Sequence, residues 1–537
     1  MRDVPPSERT LLHSLRGWAR KRPDDVFLDF EGGPSLTFGA LDRRSDAMAA
    51  AMAARGVQAG ERVLALLRNR AELLIAMFAA HKLGAIFVPL NTELRGAFLE
   101  HQFRNADPTL VLVEGDLLGA FAEVAGPGHV RTVGVVGEQG ARPPMFAGAE
   151  HVELTTLEAE PTPGAPPREP GPAGIACIMY TSGTTGPSKG VLMPHAHLWM
   201  FAHGSRRALR LTAADRYYIC MPLFHANALL MQLGGALLAG ASAYVVRRFS
   251  PTRWLDDVRR SGATVTNGLG VIPEFIFRTP PTPHDRAHRL RIMMAVPIAA
   301  EWGQAFQARF GVPFLQGYGM TECNIPCYTD PAEPSEPGGA GAVLPEFELQ
   351  VVDPETDEPR SARAVGEIVV RPREPFAFMA GYFRAPEKTV EAWRNLWFHT
   401  GDAGWLDERG HLHFVDRIKD CIRRRGENIS SFEVEQCLNA HPAVAESAVV
   451  GVKVPGAGGE DEVLAVVTPR EGAAIDPSAL LDWCVPRMPR FAVPRFVLAA
   501  DRLDKTATGK IRKQGYKEPA ILAGAWDRDA AGYVIPR

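Results

Sequence analysis

A short apolar strand that runs into a glycine- and hydroxyl-rich turn, closed by a lysine, constrains this chain more than any other feature. Residues 175–179 are Ile-Ala-Cys-Ile-Met and read as a buried strand. Residues 181–190 follow as TSGTTGPSKG, with Gly183, Gly186 and Gly190, a run of serines and threonines, and Lys189. Glycines let a backbone come close to an anion, hydroxyls and N–H groups donate to it, and the lysine adds a point charge. The turn therefore suits a phosphate. It departs from the G-x-x-x-x-G-K-[ST] spacing, because Ser188 and Gly190 occupy the second-glycine and Ser/Thr positions. Taken alone, it could also be a plain hairpin.

Four more motifs follow at long intervals: GYGMTE at 317–322, TGD at 400–402, DRIKD at 416–420 and TATGKIRK at 506–513. In this order and at these distances the chain resembles the adenylate-forming superfamily of acyl-CoA synthetases, peptide-synthetase adenylation domains and luciferases. The resemblance runs from about residue 10 to about residue 515. GYGMTE, FVDR at 414–417 and RGENIS at 425–430 look most like the carnitine/crotonobetaine-CoA ligase group.

At 537 residues the chain is too long for one core, so more than one domain is expected. Apolar residues at 46% and charged residues at 23% fit a globular protein. The 59 basic and 62 acidic residues nearly cancel, which gives no electrostatic case for nucleic acid or an anionic membrane. Seven scattered cysteines without a C-x-x-C argue against a disulfide framework or zinc site and fit a reducing compartment. Neither end reads as a secretory or peroxisomal address, so a cytoplasmic location is expected. Residues 226–246 carry no charge and are long enough to span a bilayer. Gly234, Gly235 and Gly240 interrupt the run, so a buried helix, a turn and a buried strand are expected instead.

Apolar periodicity places helices over 8–20, 43–57 and 71–83, with strands at 62–67 and 85–89. Such alternation implies parallel sheets covered on both faces. Six prolines in 158–174 mark a linker, and 347–370 reads as β-structure. The expected fold is α/β. A large N-terminal region of α/β sheets with a β-structured subdomain spans 1–416. A small mobile α+β domain spans 417–537 and contains a helix over 431–440.

The resemblance assigns roles residue by residue. Thr181, Ser182, Gly183, Thr184, Thr185 and Lys189 hold the β- and γ-phosphates of ATP. In the GYGMTE motif, Gly317 and Gly319 flank Tyr318, whose ring offers a face to adenine. Thr321 offers a hydroxyl to the α-phosphate and Glu322 an oxygen ligand to Mg²⁺. Asp402 accepts from the ribose hydroxyls and Arg417 is the second ribose contact. Asp416 stands where the commoner pattern has glycine, and its effect on the turn is open. Lys510 matches the catalytic lysine, although in its local Gly-Lys context alone it reads as an exposed side chain. Lys419 matches the hinge, and Gly426 the close approach of the pantetheine arm of coenzyme A. Arg423, Arg424 and Arg425 are candidates for the phosphates of coenzyme A. His225, after Phe224, matches a motif near the acyl and thiol paths. Residues 268–271 with Cys323 and Asn324 are expected at the acyl pocket. The adenine-side segment Ala295-Val-Pro297 departs from the family's usual run. The His195/His197 and His411/His413 pairs lack a third ligand and read as no metal site.

The reaction implied is carboxylic acid plus ATP giving acyl-AMP and pyrophosphate, then attack of the coenzyme A thiol giving acyl-CoA and AMP. Alternatives are a stand-alone adenylation enzyme loading a carrier-protein pantetheine, an aryl-CoA ligase, and a catalytically silent nucleotide-binding protein. The joint presence of Lys189, Glu322, Asp402, Arg417 and Lys510 argues against the last. Carnitine-like and short-to-medium acids are the suggested substrates, and a homodimer is left open.

Overall fold

The computed structural model describes residues 4–535 apart from 123, 125–128, 139–142, 160–169, 182–187, 270–271, 297, 299, 333–337, 419–421, 425–426, 430, 455–460, 489, 491 and 506–509. Four sheets of four or more strands organise the chain. One has eight strands in the order Gly381–Tyr382, Lys189–Pro194, Ile175–Thr181, Ile86–Pro89, Arg62–Leu66, Leu110–Glu114, Thr132–Val136 and Glu150–Glu153. From Ile175–Thr181 onward its pairings are parallel. The strands are rich in Val, Leu and Ile because both faces are buried.

A second sheet has seven strands, in the order Phe314–Leu315, Ile292–Val296, Val265–Leu269, Arg216–Ile219, Ser242–Val245, Val26–Phe30 and Ser35–Thr37. Six of these are parallel, and only Ser35–Thr37 runs against its neighbour. A third, antiparallel sheet takes Gly317–Met320, Asn324–Tyr328, Gly339–Val343, His411–Arg417, Trp397–Leu406, Gly366–Pro372 and Phe347–Val352 in that order. The fourth, of Val444–Lys453, Asp461–Pro469, Phe496–Ala499 and Trp526–Asp527, carries its own core with the helices Ser431–Asn439 and Pro477–Cys484. The architecture is thus mixed α/β with a large N-terminal domain of sheets and a smaller C-terminal domain.

The helix at Ala71–Leu83 and the strand starting at Arg62 lie where periodicity puts them. The preceding helix starts earlier than expected, at Phe38, because the Thr37 hydroxyl caps it by accepting from Ala40 N at 3.0 Å. The uncharged stretch is a wide-turned helix at Asn227–Leu233, a helix at Gly234–Ala239 and the strand Ser242–Val245. Gly234 and Gly235 do not interrupt it. They sit inside the helix, where a Cβ on Gly234 would come within 3.0 Å of Ala202 Cβ. Gly240 does end the helix, in the left-handed conformation with φ of 65°. No described helix is long and apolar enough to cross a membrane. Most of the proline-rich stretch lies outside the described residues.

Candidate active site

The phosphate-loop strands and the GYGMTE strand meet at Glu322. Thr181 ends the strand Ile175–Thr181, and its hydroxyl donates to Glu322 Oε1 at 3.3 Å. Tyr382 donates to the same oxygen at 3.2 Å. The edge strand Gly381–Tyr382 pairs with Val191 and Leu192 of the lysine-bearing strand, which brings the Tyr382 ring to 4.1 Å from Lys189 Nζ. That is cation–π distance. Glu322 is 4% exposed, and among the described residues its Oε2 accepts no hydrogen bond. A buried carboxylate oxygen left without a donor is costly unless something cationic reaches it. Ser182, Gly183, Thr184 and Thr185 lie outside the described residues. The loop's far end is held by Gln102, whose Nε2 donates to Ser188 Oγ at 3.0 Å.

GYGMTE does not form a tight Gly-x-Gly turn. Gly317–Met320 is a strand paired with Asn324–Tyr328. Gly317 and Gly319 are required by contact: a Cβ would lie 2.8 Å from Cys327 O at the first and 2.0 Å from Asn324 O at the second. Both obstacles are backbone. Gly319→Ala is therefore expected to destabilise the protein by about 1–3 kcal/mol or more through overpacking. Thermal unfolding together with AMP protection of the folded state checks this, and an unchanged melting temperature would refute it. Thr321 follows in the turn to Asn324 and is half-buried.

Asp402 and Arg417 face each other across the antiparallel pair Trp397–Leu406 and His411–Arg417. Arg417 Nε lies 2.8 Å from Asp402 Oδ1, and the Tyr318 hydroxyl donates to Asp402 Oδ2 at 2.8 Å. Each oxygen of Asp402 is thus met from one side, Oδ1 by the Arg417 guanidinium and Oδ2 by the Tyr318 hydroxyl. Burial raises the Asp402 pKa, against the pull of Arg417. Tyr318 is thus tied to Asp402 through its hydroxyl, and its buried ring lies near Phe414, at 6.0 Å between centroids.

Lys510 comes from the smaller domain to the same place. Its side chain keeps solvent contact, yet surrounding protein lowers its pKa, first by desolvation and next by the charge of Arg417. Asp402 and Glu322 oppose that shift, so both carboxylates act on the ammonium. The His225 pKa is lowered to about 4, mainly by burial and further by Lys510, which leaves its imidazole neutral at neutral pH. The structure therefore gathers Thr181, Lys189, His225, Glu322, Asp402, Arg417 and Lys510 about one centre. The hinge candidate Lys419 and the pantetheine candidate Gly426 lie outside the described residues.

Several expectations need correction. Arg424 is 3% exposed and ion-paired with Glu462 at 2.7 Å, so it does not present its charge to a coenzyme A phosphate. The Arg423 side chain and Arg425 lie outside the described residues. Asn324 is buried with φ of 71°, and its Nδ2 donates to the carbonyls of His197 (3.1 Å) and Ala377 (3.4 Å). Its amide shapes the backbone and is not offered to an acyl group. Cys323 is wholly buried beside it. Gly268 and Leu269 end the strand Val265–Leu269, while 270–271 and Pro297 are outside the described residues. Among the described residues no cluster of three or more His, Cys, Asp or Glu could hold a metal. Two contributors had no signal of their own in the sequence: Tyr382 and Gln102. Each is brought in by an element remote from the motifs.

The "AMP-binding enzyme" family matches residues 15–383, and the "AMP-binding enzyme C-terminal domain" matches residues 433–510. A feruloyl-CoA synthase of Amycolatopsis sp is 33% identical over 487 residues, covering 90% of this chain and 93% of that protein. A crotonobetaine/carnitine–CoA ligase of Salmonella typhi is 30% identical over 467 residues, covering 86% and 89%. The structure of ATP-bound MatB from Rhodopseudomonas palustris superposes with a TM-score of 0.80 at 30% identity, covering 95% of this chain and 98% of that one. With both family regions matched in order and relatives aligned nearly end to end, the chain belongs to the AMP-binding enzyme family, in its acyl-CoA synthetase group.

Proposed function

We propose that this enzyme is an ATP-dependent carboxylic acid:CoA ligase whose acid has an uncharged tail. The observation that carries the reading is the convergence of Lys510 with Glu322, Asp402 and Arg417 on one centre. Adenylation needs no protein nucleophile. It needs a carboxylate and the α-phosphate held in line, with the growing charge on phosphorus neutralised. Lys189 receives the outer phosphates, with Ser182, Gly183, Thr184 and Thr185 of the loop. Asp402 accepts from the ribose hydroxyls beside Arg417, and Tyr318 and Gly319 flank the adenine side. Thr321 and Lys510 meet the α-phosphate. Neutral His225 can donate to the acid's carboxylate without adding a second cation next to Lys510.

Glu322 suits Mg²⁺, because one oxygen is fixed by Thr181 and Tyr382 while the other is buried without a donor. Magnesium is commonly held by one or two carboxylates plus substrate phosphates, so a single protein carboxylate suffices. When bound, the ion would neutralise charge on the phosphates.

In the second half-reaction the smaller domain, 417–537, turns about Lys419, withdraws Lys510 and brings Gly426 to the thiol's path. Free coenzyme A is the acceptor, as in the names of the relatives. We place the reaction in the cytoplasm.

The acid's tail is read from Glu274. This carboxylate, in the helix Ile272–Phe277 that follows the acyl-side strand, is ion-paired with Arg278 and so is not left to meet a trimethylammonium group. Aryl and medium-chain aliphatic acids therefore fit better than carnitine. The test is acid-dependent pyrophosphate release over ferulate, benzoate, hexanoate and carnitine, with and without coenzyme A. Preference for the neutral-tailed acids and product capture as acyl-CoA is the expected result. Preference for carnitine would overturn the substrate reading, and turnover only with a pantetheinylated carrier would overturn the acceptor.

A further inference from the structure

Asp416 has no part in the reaction as described above, yet it is 6% exposed and fully engaged. It lies on the third sheet, one residue before Arg417. Its Oδ1 accepts from Arg417 N at 2.7 Å. Its Oδ2 accepts from Ser431 N at 2.8 Å, from Phe432 N at 3.3 Å and from the Ser431 hydroxyl. Ser431 opens the helix Ser431–Asn439, so a carboxylate of the large domain caps the N-terminus of a helix of the small one. Such a carboxylate satisfies free N–H groups and complements the positive end of the helix dipole.

The other end of the same helix is held as well. Arg278, just past the helix Ile272–Phe277 of the large domain, donates from Nη2 to Asn439 O at 3.0 Å. A cation meets the last carbonyls where the dipole is negative. Arg278 is itself steadied by Glu274. A third contact joins the domains next to the reactive lysine: Arg512 lies 4.9 Å from the Phe98 ring centroid. In this pose Lys510 is electrostatically coupled to Asp402 and Glu322.

We infer that Asp416 and Arg278 are positioning residues that clamp the helix Ser431–Asn439 by its two ends and so hold the smaller domain in the pose that delivers Lys510 for adenylation. The inference rests on the two-step reading above. Asp416 precedes position 419 in the chain and Ser431 follows it, so a turn about that position parts the carboxylate from the helix. The clamp then favours the first half-reaction only.

The test is single-turnover kinetics of each half-reaction in Asp416→Ala, Asp416→Asn and Arg278→Ala, using isolated acyl-adenylate and coenzyme A for the second step. Losing a cap of this kind weakens the docked pose about 3- to 30-fold. Adenylation is expected to fall by roughly tenfold in Asp416→Ala and Arg278→Ala, by less in Asp416→Asn, which keeps an acceptor oxygen. Acyl transfer to coenzyme A should be unchanged or faster. Arg278 lies on a different element from the Asp402–Arg417 pair, so its variant, assayed at saturating acid, separates clamping from disturbance of the ribose contact and of Glu274. Equal slowing of both steps, or no change in either variant, would overturn the clamp. If instead the unmodified enzyme made no acyl-adenylate from any acid, the functional reading would fall, and the clamp with it.

Discussion

Replacing Lys510 with alanine should slow acyl-adenylate formation by ~10²–10³, equivalent to about 3–4 kcal/mol, the usual loss when one preorganised electrostatic donor is removed. Acyl transfer from supplied acyl-adenylate to coenzyme A should stay near the unmodified rate. The ammonium sits where desolvation and Arg417 lower its pKa, only partly offset by Asp402 and Glu322. The balance of these influences lowers its pKa, and an arriving polyphosphate shifts that balance the other way. The charge that develops in the in-line displacement shifts it furthest. The lysine's contribution is therefore specific to the step in which phosphorus is attacked. Separate single-turnover assays of the two steps check this. Equal losses in both would mean that Lys510 supports the fold or binds coenzyme A.

How far the sequence could be read depended on whether a residue's role is set locally. The helix Ala71–Leu83 lies within a stretch of near-continuous apolar residues bounded by Arg70 and Gly84, and its bounds are those read from the sequence. The strand that precedes the phosphate loop was equally plain. Glu322, Asp402, Arg417 and Lys510 were identified by motif order, and their convergence needs the third sheet to meet the smaller domain, which no local pattern describes. Tyr382 lay hidden because its place follows from an edge strand pairing with Val191 and Leu192. Arg424 misled for the opposite reason. In a run of three arginines it looks like a solvated basic face. In the hairpin of Ile422–Arg424 and Glu427–Ile429, residues 422 and 424 share a face by the two-residue period, and Ile422 is fully buried. Arg424 follows it inward and is neutralised by Glu462. Asp416 was noticed as a departure, but its partner lies fifteen residues on, in a helix of the smaller domain, so its contact with that helix appeared only in three dimensions.

Changing Glu322 to glutamine should raise the Mg²⁺ concentration needed for ATP–pyrophosphate exchange and cut its maximal rate by ~10²–10³. The substitution is nearly isosteric, so the site's shape is kept. Oε1 can still accept from Thr181 and Tyr382, at 3.3 and 3.2 Å in the parent. What changes is the buried second oxygen, which has no hydrogen-bond donor among the described residues and becomes an NH₂ that cannot face a cation. The loss of one negative charge also removes an attraction that opposes the lowering of the Lys510 pKa, so the lysine should be less readily protonated in the variant. Both consequences act on the first half-reaction. AMP binding in the absence of Mg²⁺ should be close to that of the parent, because Asp402 and Arg417, the ribose contacts proposed above, are untouched. A Mg²⁺ titration of exchange, run beside AMP affinity measured calorimetrically, separates the two effects. An unchanged half-saturating Mg²⁺ concentration would show that the orphan oxygen faces no cation, and the ion would then have to be held by the phosphates alone.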